Sequence, residues 1–199
     1  MGTTSAGGHD PNCLGRLCAA SLLAWSARTA HSREVSAREA GVFRRFNAAP
    51  DPLEAPLWAV MQAGSLGGVF AVAAAKQGAH KQREALIVLG VGTGVWLGVK
   101  LVKPLIGRGR PADHLDGVNV RGRAQTGLGY PSGHAAVSTT LALTATSPGP
   151  ARILALCVAA VAGSGRMYVG AHLPLDVAGG YAAGALAGSV GGRLVRRFR

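Results

Sequence analysis

Long uncharged stretches alternate with short basic clusters along most of the chain. Pro56 to Ala75 contains no charged residue, and Ala85 to Val102 is interrupted only by Lys100 near its end. About twenty uncharged residues are what a helix needs to cross the hydrocarbon core of a membrane. Three further apolar segments follow at Ser132 to Thr146, Ile153 to Ser164 and Leu173 to Val195. The pattern predicts an all-α, integral-membrane helical bundle with five or six membrane segments.

The N-terminal region is less clearly patterned. Residues 1–12 are polar and glycine-rich, and we expect them to be disordered. The apolar run from Leu17 to Ala27 is about eleven residues long, a length that suits a signal-peptide core, a short interfacial helix or a membrane span. We therefore divide the chain into a flexible N-terminus with a short apolar segment, residues 1–32, and a membrane-embedded domain, residues 33–199.

The segment from Glu34 to Asn47 is predicted to be a helix with two unlike faces. Its apolar residues recur at near-helical spacing among charged ones: Val35, Val42, Phe43 and Phe46 among Arg38, Glu39, Arg44 and Arg45. This pattern is typical of a helix that lies in the membrane interface. A surface helix of a water-soluble domain would show the same pattern, so this alternative stays open.

Composition supports the membrane assignment. Hydrophobic residues make up 48% of the 199 residues, charged residues only 15%, and the mean hydropathy is +0.25. The formal net charge of +12 would suit nucleic acid, but the basic residues form short clusters between apolar runs. That distribution argues against nucleic acid as a partner and favours membrane topology and anionic lipid. The three cysteines have neither disulfide-framework nor metal-site spacing. The excess of Arg over Lys, with abundant Ala and Gly, indicates GC-rich coding and a bacterial source.

The basic clusters also predict an orientation. If the spans alternate, the loop at 76–83, Arg152 and the C-terminal arginines share one side, which the positive-inside rule makes the cytoplasm. The opposite side receives residues 103–131 and 165–172, which are basic as well. Phosphate binding would explain the positive charges on this opposite side. We therefore expect a multi-pass protein of the bacterial inner membrane with its site on the extracytoplasmic face.

A stripe of glycines marks the last apolar segment. Gly180, Gly184, Gly188 and Gly192 recur every four residues. Such a stripe predicts that a neighbouring helix approaches closely, although a chance pattern in a chain with 30 glycines is the alternative.

Three groups of polar residues stand at span ends, and alternation of the spans brings all three to one membrane face. The first is Lys103, six residues and Arg110-Pro111; the second is Pro131-Ser132-Gly133-His134; the third is Arg166, five residues, His172, three residues and Asp176. Taken singly, Lys103 and Arg110 would be ordinary snorkelling anchors. Asp176 is costly inside an apolar span unless it has a partner, and His172 is available four residues earlier on the same helical face.

In these groups and their order the sequence resembles the type-2 phosphatidic acid phosphatase superfamily, which includes lipid phosphate phosphatases and vanadium haloperoxidases. The resemblance covers about Phe43 to Val195 and implies a membrane lipid phosphatase that works through a phosphohistidine. It makes His172 the nucleophile, Asp176 the residue that orients and stabilises it, and His134 the general acid. Haloperoxidases share the three groups as soluble proteins, and the uncharged spans argue against one here.

The residue types in these groups also suit phosphate binding. Arg110 and Arg166 offer planar donor forks, and Lys103 offers a point charge. Ser132 is well placed to cap a helix that begins at Gly133, whose free backbone N–H groups would face an anion. Because cations already supply the charge and carboxylates near the site are few, we expect no metal and no cofactor.

One position departs from the family pattern. The family has Ser directly before the Arg of the third group, whereas this chain has Gly165 there and Ser164 one place earlier. A shift of one residue turns a side chain by about 100° around a helix, so we do not expect Ser164 to make the same contact. The backbone N–H of Gly165 or the hydroxyl of Ser132 is expected to compensate.

The identity of the substrate lipid is the property on which the sequence gives the least information. An outward-facing site suits a polyprenyl pyrophosphate or monophosphate, with phosphatidylglycerophosphate, phosphatidic acid and a polyprenyl-phosphoryl sugar phosphate as alternatives. The loop from Ala112 to Tyr130 would either contact the headgroup, where Arg121 and Arg123 would meet a second phosphate, or be merely solvated. A non-catalytic lipid-phosphate carrier is the other class, but it would not need His172, Asp176 and His134. The oligomeric state is not predicted.

Overall fold

The structure, a computed structural model, describes residues 13–198. Residues 1–12, for which we expect disorder, and residue 199 lie outside this part. The described residues are all-helical and contain no strand. Eight α-helices run in the order α1 (Cys13–His31), α2 (Ala37–Asn47), α3 (Glu54–Met61), α4 (Leu66–Gly78), α5 (Gln82–Ile106), α6 (Gly133–Ala145), α7 (Pro150–Tyr168) and α8 (Pro174–Arg197).

Helix α6 lies at the centre of the bundle, against α5, α7 and α8. Its residues are small or apolar, with a few hydroxyls, and most of them are buried. The hydroxyl of Thr140 bonds to the carbonyl of Ala136 one turn earlier at 2.9 Å, so it is buried with its hydrogen bond made. The first residues of this central helix belong to the second predicted site group, which the surrounding helices therefore enclose.

The glycine stripe of α8 faces α6, as predicted. A Cβ atom on Gly180 would lie 2.4 Å from the carbonyl oxygen of Ser132, and one on Gly184 would lie 2.4 Å from that of Ala136. Only glycine allows the two backbones to come this close. The close contact fixes the start of α8 against the start of α6, and so joins two of the three predicted site groups.

Two helical stretches are long and apolar enough to cross a membrane, Gln82–Asp113 and Pro150–Tyr168. A third is possible if Asp51–Gly64 and Leu66–Gly78, which are bent by 66°, count as one span. Among the described residues, length and composition thus support two or three spans, and the predicted five or six are not confirmed. Helix α6 is too short, at about 20 Å, and glycines dilute the apolar content of α8.

The continuous span predicted from Pro56 to Ala75 is instead two helices, α3 and α4. A 3₁₀ turn at Gln62–Gly64 separates them, and the hydroxyl of Ser65 then caps α4 by accepting from the backbone N–H of Gly68 at 3.1 Å. The break has a packing reason: a Cβ atom on Gly64 would lie 2.4 Å from the carbonyl oxygen of His134. The bend thereby brings this turn directly against the start of α6.

The helix predicted from Glu34 to Asn47 is present as α2, with Ser36 as its N-cap. Its orientation differs from the amphipathic interpretation, because its buried residues are Glu39, Ala40, Phe43 and Asn47. Glu39 therefore points into the protein instead of lying on a charged outer face. A position of α2 in the membrane interface is not confirmed.

The apolar run at Leu17–Ala27 lies within α1, which packs along α8. The hydroxyl of Ser26 hydrogen-bonds the hydroxyl of Tyr130 at 2.9 Å, which ties α1 to the loop that leads into α6. This helix is not among the stretches apolar enough to cross a membrane. The predicted division between residues 1–32 and 33–199 stays a prediction.

Candidate active site

The structure brings the three predicted groups together at one end of the bundle. The first group spans the end of α5 and the turn after it, the second begins α6, and the third runs from the end of α7 into α8. Nη1 of Arg110 lies 3.3 Å from Nε2 of His172. The backbone N–H of Ser132 donates to the carbonyl of Asp176 at 2.8 Å, and His134 lies within electrostatic range of His172.

His172 and Asp176 meet at the start of α8. Oδ2 of Asp176 accepts a hydrogen bond from the backbone N–H of Leu173 at 2.9 Å and lies 3.5 Å from Nδ1 of His172. The helix begins only at Pro174, so the predicted sharing of one helical face is wrong. The two side chains meet because Asp176, in the first turn, reaches back to the loop that carries His172.

The two ring nitrogens of His172 have different surroundings. Nδ1 faces the carboxylate of Asp176, and Nε2 faces the guanidinium of Arg110. A guanidinium can only donate, so this contact makes Nε2 the acceptor and leaves the ring proton on Nδ1, towards the carboxylate. The lone pair of Nε2 is therefore directed at the cationic side of the site, which is the arrangement that a nucleophilic histidine requires.

The surroundings of His172 also favour its neutral form. The side chain is almost completely buried. Burial lowers its pKa well below the usual value, and the positive charges of Lys103, Arg110 and Arg166 lower the pKa further. These surroundings favour the neutral ring at neutral pH, with its proton on Nδ1 and the lone pair of Nε2 available for attack on an electrophile.

Backbone carbonyls orient two of the predicted phosphate-binding cations. Nζ of Lys103 donates to the carbonyls of Leu128 and Gly129, both at 2.8 Å. Arg110 donates to the carbonyls of Thr126, Gly127 and Ala171. The loop between α5 and α6 thus holds both cations beside His172 through its backbone, which no pattern in the sequence indicates.

Met61 of α3 is a neighbour of both Arg166 and Gly165. Gly165 is the position at which the chain departs from the family pattern. A Cβ atom on Gly165 would lie 3.0 Å from Cγ of Met61, and Nη1 of Arg166 lies 3.9 Å from its sulfur. The hydroxyl of Tyr181 on α8 donates to the carbonyl of Ala160 at 2.6 Å, and Ser164 lies close to this hydroxyl. Met61 therefore occupies the space that a serine side chain at position 165 would need.

Helix α6 starts at the predicted residue, but the predicted side-chain cap from Ser132 is not formed. The helix begins at Gly133 with Ser132 as N-cap residue, but the hydroxyl of Ser132 makes no capping bond. This oxygen is buried and has no hydrogen-bond partner among the described residues. The hydroxyl and the first N–H groups of α6 are therefore available to an anion. His134, the second residue of the helix, is half-buried beside them.

Two buried charged residues, Arg108 and Glu39, lie outside the predicted set. Nη1 and Nη2 of Arg108 donate to the two carboxylate oxygens of Glu39 at 3.0 and 2.7 Å. Nη1 also lies 3.4 Å from Oδ1 of Asp176. One signal for Glu39 was present in the sequence, since Ser36 and Glu39 have the spacing of a capping box. It indicates a helix start and carries no information about Arg108.

The two arginines predicted to meet the headgroup are in different situations. Arg121 donates to the carbonyls of Asn47, Ala49 and Tyr168 and to the carboxylate of Asp51. Its guanidinium also lies over the ring of Tyr168, 4.1 Å from the ring centre. Arg123 is exposed. Arg121 thus joins the loop to α2 and α7, and a headgroup role for either arginine stays a prediction.

An apolar groove of about 920 Å³ lies between α4, α6 and α7. Its lining residues are mostly small, and they include Gly68, Ala71, Ala142 and Ala155. At one end it reaches Ser138, whose hydroxyl donates to the carbonyl of His134 at 2.8 Å. An apolar chain in this groove would therefore end next to the helix turn that carries His134.

Comparison with known proteins agrees with this site. The family model of the PAP2 superfamily matches residues 84–198, so the chain belongs to the PAP2 superfamily. This range contains all three site groups and Arg108. Membership confirms the predicted resemblance, and the chain is a bacterial membrane lipid phosphatase.

Two solved structures have a similar fold. Aquifex aeolicus LpxE is 25% identical, with a TM-score of 0.66 over 79% of this chain and 96% of that one. The first transmembrane PAP2 type phosphatidylglycerolphosphate phosphatase from Bacillus subtilis is 22% identical, with a TM-score of 0.68 over 90% of this chain and 94% of that one. A search of curated protein sequences finds no match.

Proposed function

We propose that this lipid phosphatase forms a covalent phosphohistidine at His172. The observation that carries the proposal is the placement of the ring, with Nδ1 towards Asp176 and Nε2 towards Arg110. Nε2 attacks phosphorus, the N–P bond forms, and the bond to the leaving oxygen breaks. His134 gives the leaving oxygen its proton, and the carboxylate of Asp176 stabilises the positive charge that develops on the ring.

A water molecule completes the reaction. It attacks the phosphorus of the phosphohistidine, His134 takes its proton, and the N–P bond breaks to release inorganic phosphate. The ring of His172 returns to its neutral form with the proton still on Nδ1. His134 therefore acts as an acid in the first step and as a base in the second.

The charge of the phosphoryl group is held by the cations and by the start of α6. Lys103, Arg110 and Arg166 supply positive charge from three directions, and the hydroxyl of Ser132 with the N–H groups from Gly133 onward supplies neutral donors. Arg166 pairs with no carboxylate in the described part of the chain. It is therefore a cation for which the phosphate would be the counter-ion.

We propose a polyprenyl pyrophosphate or monophosphate as the substrate class, in the inner membrane and with the phosphate on the extracytoplasmic side. The apolar groove supports a lipid chain, because it follows α6 from Ser138 to Thr146, about 12 Å along the helix axis. The basic loop at 76–83, Arg152 and the C-terminal arginines support the orientation by the positive-inside rule, with the basic residues of the opposite side assigned to phosphate.

A second candidate is a phosphatidylglycerophosphate or phosphatidic acid phosphatase. The similar fold of the Bacillus subtilis protein, whose description names phosphatidylglycerolphosphate, favours it. A polyprenyl-phosphoryl sugar phosphate would suit the same cations. These substrates share a lipid chain and a terminal phosphoryl group, so only a direct comparison of rates separates them.

The proposal is tested by phosphate release from the detergent-purified protein in the presence of EDTA. The panel contains a polyprenyl pyrophosphate, a polyprenyl monophosphate, phosphatidic acid and phosphatidylglycerophosphate. We expect metal-independent release, fastest with a polyprenyl substrate, and an acid-labile phosphohistidine on rapid quenching with labelled substrate. Among the described residues no group of three or more His, Cys, Asp or Glu is arranged to hold a metal ion. Loss of activity in EDTA would therefore contradict the proposed chemistry.

Variants at the site complete the test. His172→Ala should abolish both release and labelling, whereas Asp116→Asn, in an exposed loop position, should change neither. Full activity of His172→Ala would exclude the covalent mechanism. Binding of the labelled lipid without release by the wild-type protein would indicate the non-catalytic carrier instead.

A further inference from the structure

The proposed reaction at His172 does not use the buried pair of Glu39 and Arg108. Arg108 has no exposed side-chain surface, and its two terminal nitrogens hold both oxygens of Glu39 in a fork. Such a two-bond pairing fixes the plane of the guanidinium as well as its position. The same Nη1 that bonds Glu39 also faces Oδ1 of Asp176 at 3.4 Å.

Glu39 makes a second connection to the same place. Its Oε1 accepts a hydrogen bond from the backbone N–H of Leu175 at 3.0 Å. Leu175 lies in the first turn of α8, where a carboxylate is favourable because the N–H groups there have no partners within the helix. Helix α2 thus holds the start of α8 both through Arg108 and directly, one residue before Asp176.

The two oxygens of Asp176 consequently have separate partners. Oδ2 accepts from the N–H of Leu173 and faces His172, while Oδ1 faces Arg108. Without Glu39, both terminal nitrogens of Arg108 would be free to pair with this carboxylate in a two-bond fork. Glu39 prevents this by occupying both terminal nitrogens of Arg108, and Oδ2 is left for His172.

We propose that Glu39 and Arg108 are positioning residues for the reaction: they orient the carboxylate of Asp176 so that it holds the ring of His172 in the attacking tautomer. The inference rests on the proposed function of His172. If it holds, the correct alignment of His172 requires that α2 is packed on the bundle.

The pair also sets the balance of charge around the ring. The charged or titratable groups that face His172 are Asp176 on α8, Lys103 and Arg110 at the end of α5 and the turn after it, Arg166 on α7 and His134 on α6. Cations dominate this set. Removing the negative charge of Glu39 leaves Asp176 to balance Arg108 as well as the ring, which disfavours a positive ring still more.

The first experiment compares Glu39→Gln with the wild-type protein on polyprenyl pyrophosphate in detergent micelles. We expect kcat to fall about 10- to 100-fold, by analogy with the hydrogen-bond partners that orient metal-bound histidines, with KM changed less than about threefold because the phosphate-binding cations are untouched. The acid limb of the pH–rate profile should move to lower pH. Unchanged kcat in Glu39→Gln would overturn the inference.

A matched control separates positioning from a general loss of stability. Glu84 is a similarly buried carboxylate that pairs with Lys76 at 2.8 Å, away from the site. Glu84→Gln should lower the thermal midpoint to a comparable degree and leave kcat and the pH profile in place. If Glu84→Gln lowers kcat as much as Glu39→Gln, the effect is structural and the positioning role is wrong.

A double-mutant cycle tests the coupling. We expect Glu39→Gln/Arg108→Gln to be no slower than the slower single variant, because each single change already disturbs the carboxylate of Asp176; losses that multiply would contradict a shared role. Should Glu39→Gln not fold, Arg108→Lys carries the test, since lysine keeps the charge but cannot form the fork. Full activity of Arg108→Lys would overturn the inference.

Failure of the positioning role and failure of the proposed function give different results. Loss of activity in His172→Ala with wild-type rates in Glu39→Gln and Arg108→Lys removes only the positioning role. Retention of activity in His172→Ala removes the covalent mechanism and the positioning role together. Competition by orthovanadate, a mimic of phosphate, should be unchanged in Glu39→Gln, which shows that the cations still bind an anion.

Discussion

The side chain of Met61 occupies the space directly above Gly165, where a Cβ atom would lie 3.0 Å from Cγ of the methionine. At this position, where the family pattern has a serine, the chain has a glycine that contacts a side chain from another helix. Met61 is itself almost completely buried. Gly165 thus leaves room for an apolar contact between α3 and α7.

This relationship predicts that a serine side chain at position 165 displaces Met61 by a few tenths of an ångström. Gly165→Ser should lower the free energy of unfolding by about 1–3 kcal/mol through overpacking and reduce kcat, because Arg166 is displaced with Met61. Met61→Ala/Gly165→Ser should recover much of both. Thermal unfolding in detergent and phosphate release provide the two measurements.

Gly90→Ser is the matched control, since a Cβ atom there meets nothing within 4 Å. It should have the small effect of a helical glycine replacement at an open position. If Gly165→Ser is as stable and as active as Gly90→Ser, Met61 does not exclude a side chain at position 165.

The candidate site was largely predictable because its residues stand at the ends of apolar segments. Alternation of such segments places every second loop on one face, so Arg110, His134 and His172 could be expected together. Their joint presence follows from the spacing of the motif and from elementary topology. The detailed contacts do not, because carbonyls such as those of Leu128 and Gly129 carry no sequence signal.

The parts that sequence patterns did not predict share a physical cause. Glu39 lies on a helix whose apolar residues suggest a different buried face, and its burial depends on Arg108, which is distant in sequence. The break after Met61 likewise depends on the packing of Gly64 against α6. In both cases a tertiary partner outweighs the local pattern, which no reading of a single segment can reveal.

The pH dependence of turnover should reflect the lowered pKa of His172. Burial and the nearby cations keep the ring neutral, so the nucleophile stays active as the pH falls through 6.5, the usual histidine value. On the acid side, activity is lost when the pH falls through the lowered pKa of His172. We expect the acid limb of kcat/KM well below pH 6.5.

Substrate ionisation adds its own limb to such a profile. The measurement therefore uses a polyprenyl monophosphate and a polyprenyl pyrophosphate in parallel, and a limb common to both belongs to the enzyme. A common acid limb at or above pH 6.5 would show that the neutral form of His172 is not favoured as its surroundings suggest.

Arg121 and Arg123 should respond differently to substitution. Arg121→Gln removes hydrogen bonds to three carbonyls and to Asp51, and leaving such acceptors unpaired costs about 1–3 kcal/mol. The thermal midpoint should fall in this variant and stay unchanged in Arg123→Gln, whose side chain is exposed. If Arg123 meets a second phosphate, its loss should raise KM about three- to tenfold for a pyrophosphate and not for a monophosphate. Equal changes for the two substrates would remove the headgroup role.

The apolar groove predicts where the lipid chain lies. Ala71 and Ala74 are both exposed residues of α4, but only Ala71 lines the groove. A tryptophan side chain at position 71 would fill part of the 920 Å³ volume and exclude the lipid chain. Each CH₂ group that is no longer buried weakens binding by about 0.8 kcal/mol. Ala71→Trp should therefore raise KM for a polyprenyl phosphate at least tenfold.

Ala74→Trp adds the same apolar area to the same helix outside the groove, and its KM should stay at the wild-type value. A short-chain phosphate ester that does not reach the groove should be hydrolysed equally by both variants, which separates chain binding from damage to the catalytic residues. If Ala71→Trp and Ala74→Trp have the same KM for the polyprenyl phosphate, the chain lies elsewhere on the bundle. If Ala71→Trp also loses the short-chain activity, the groove contributes through the alignment of His134 on α6, with which it is in contact through Ser138.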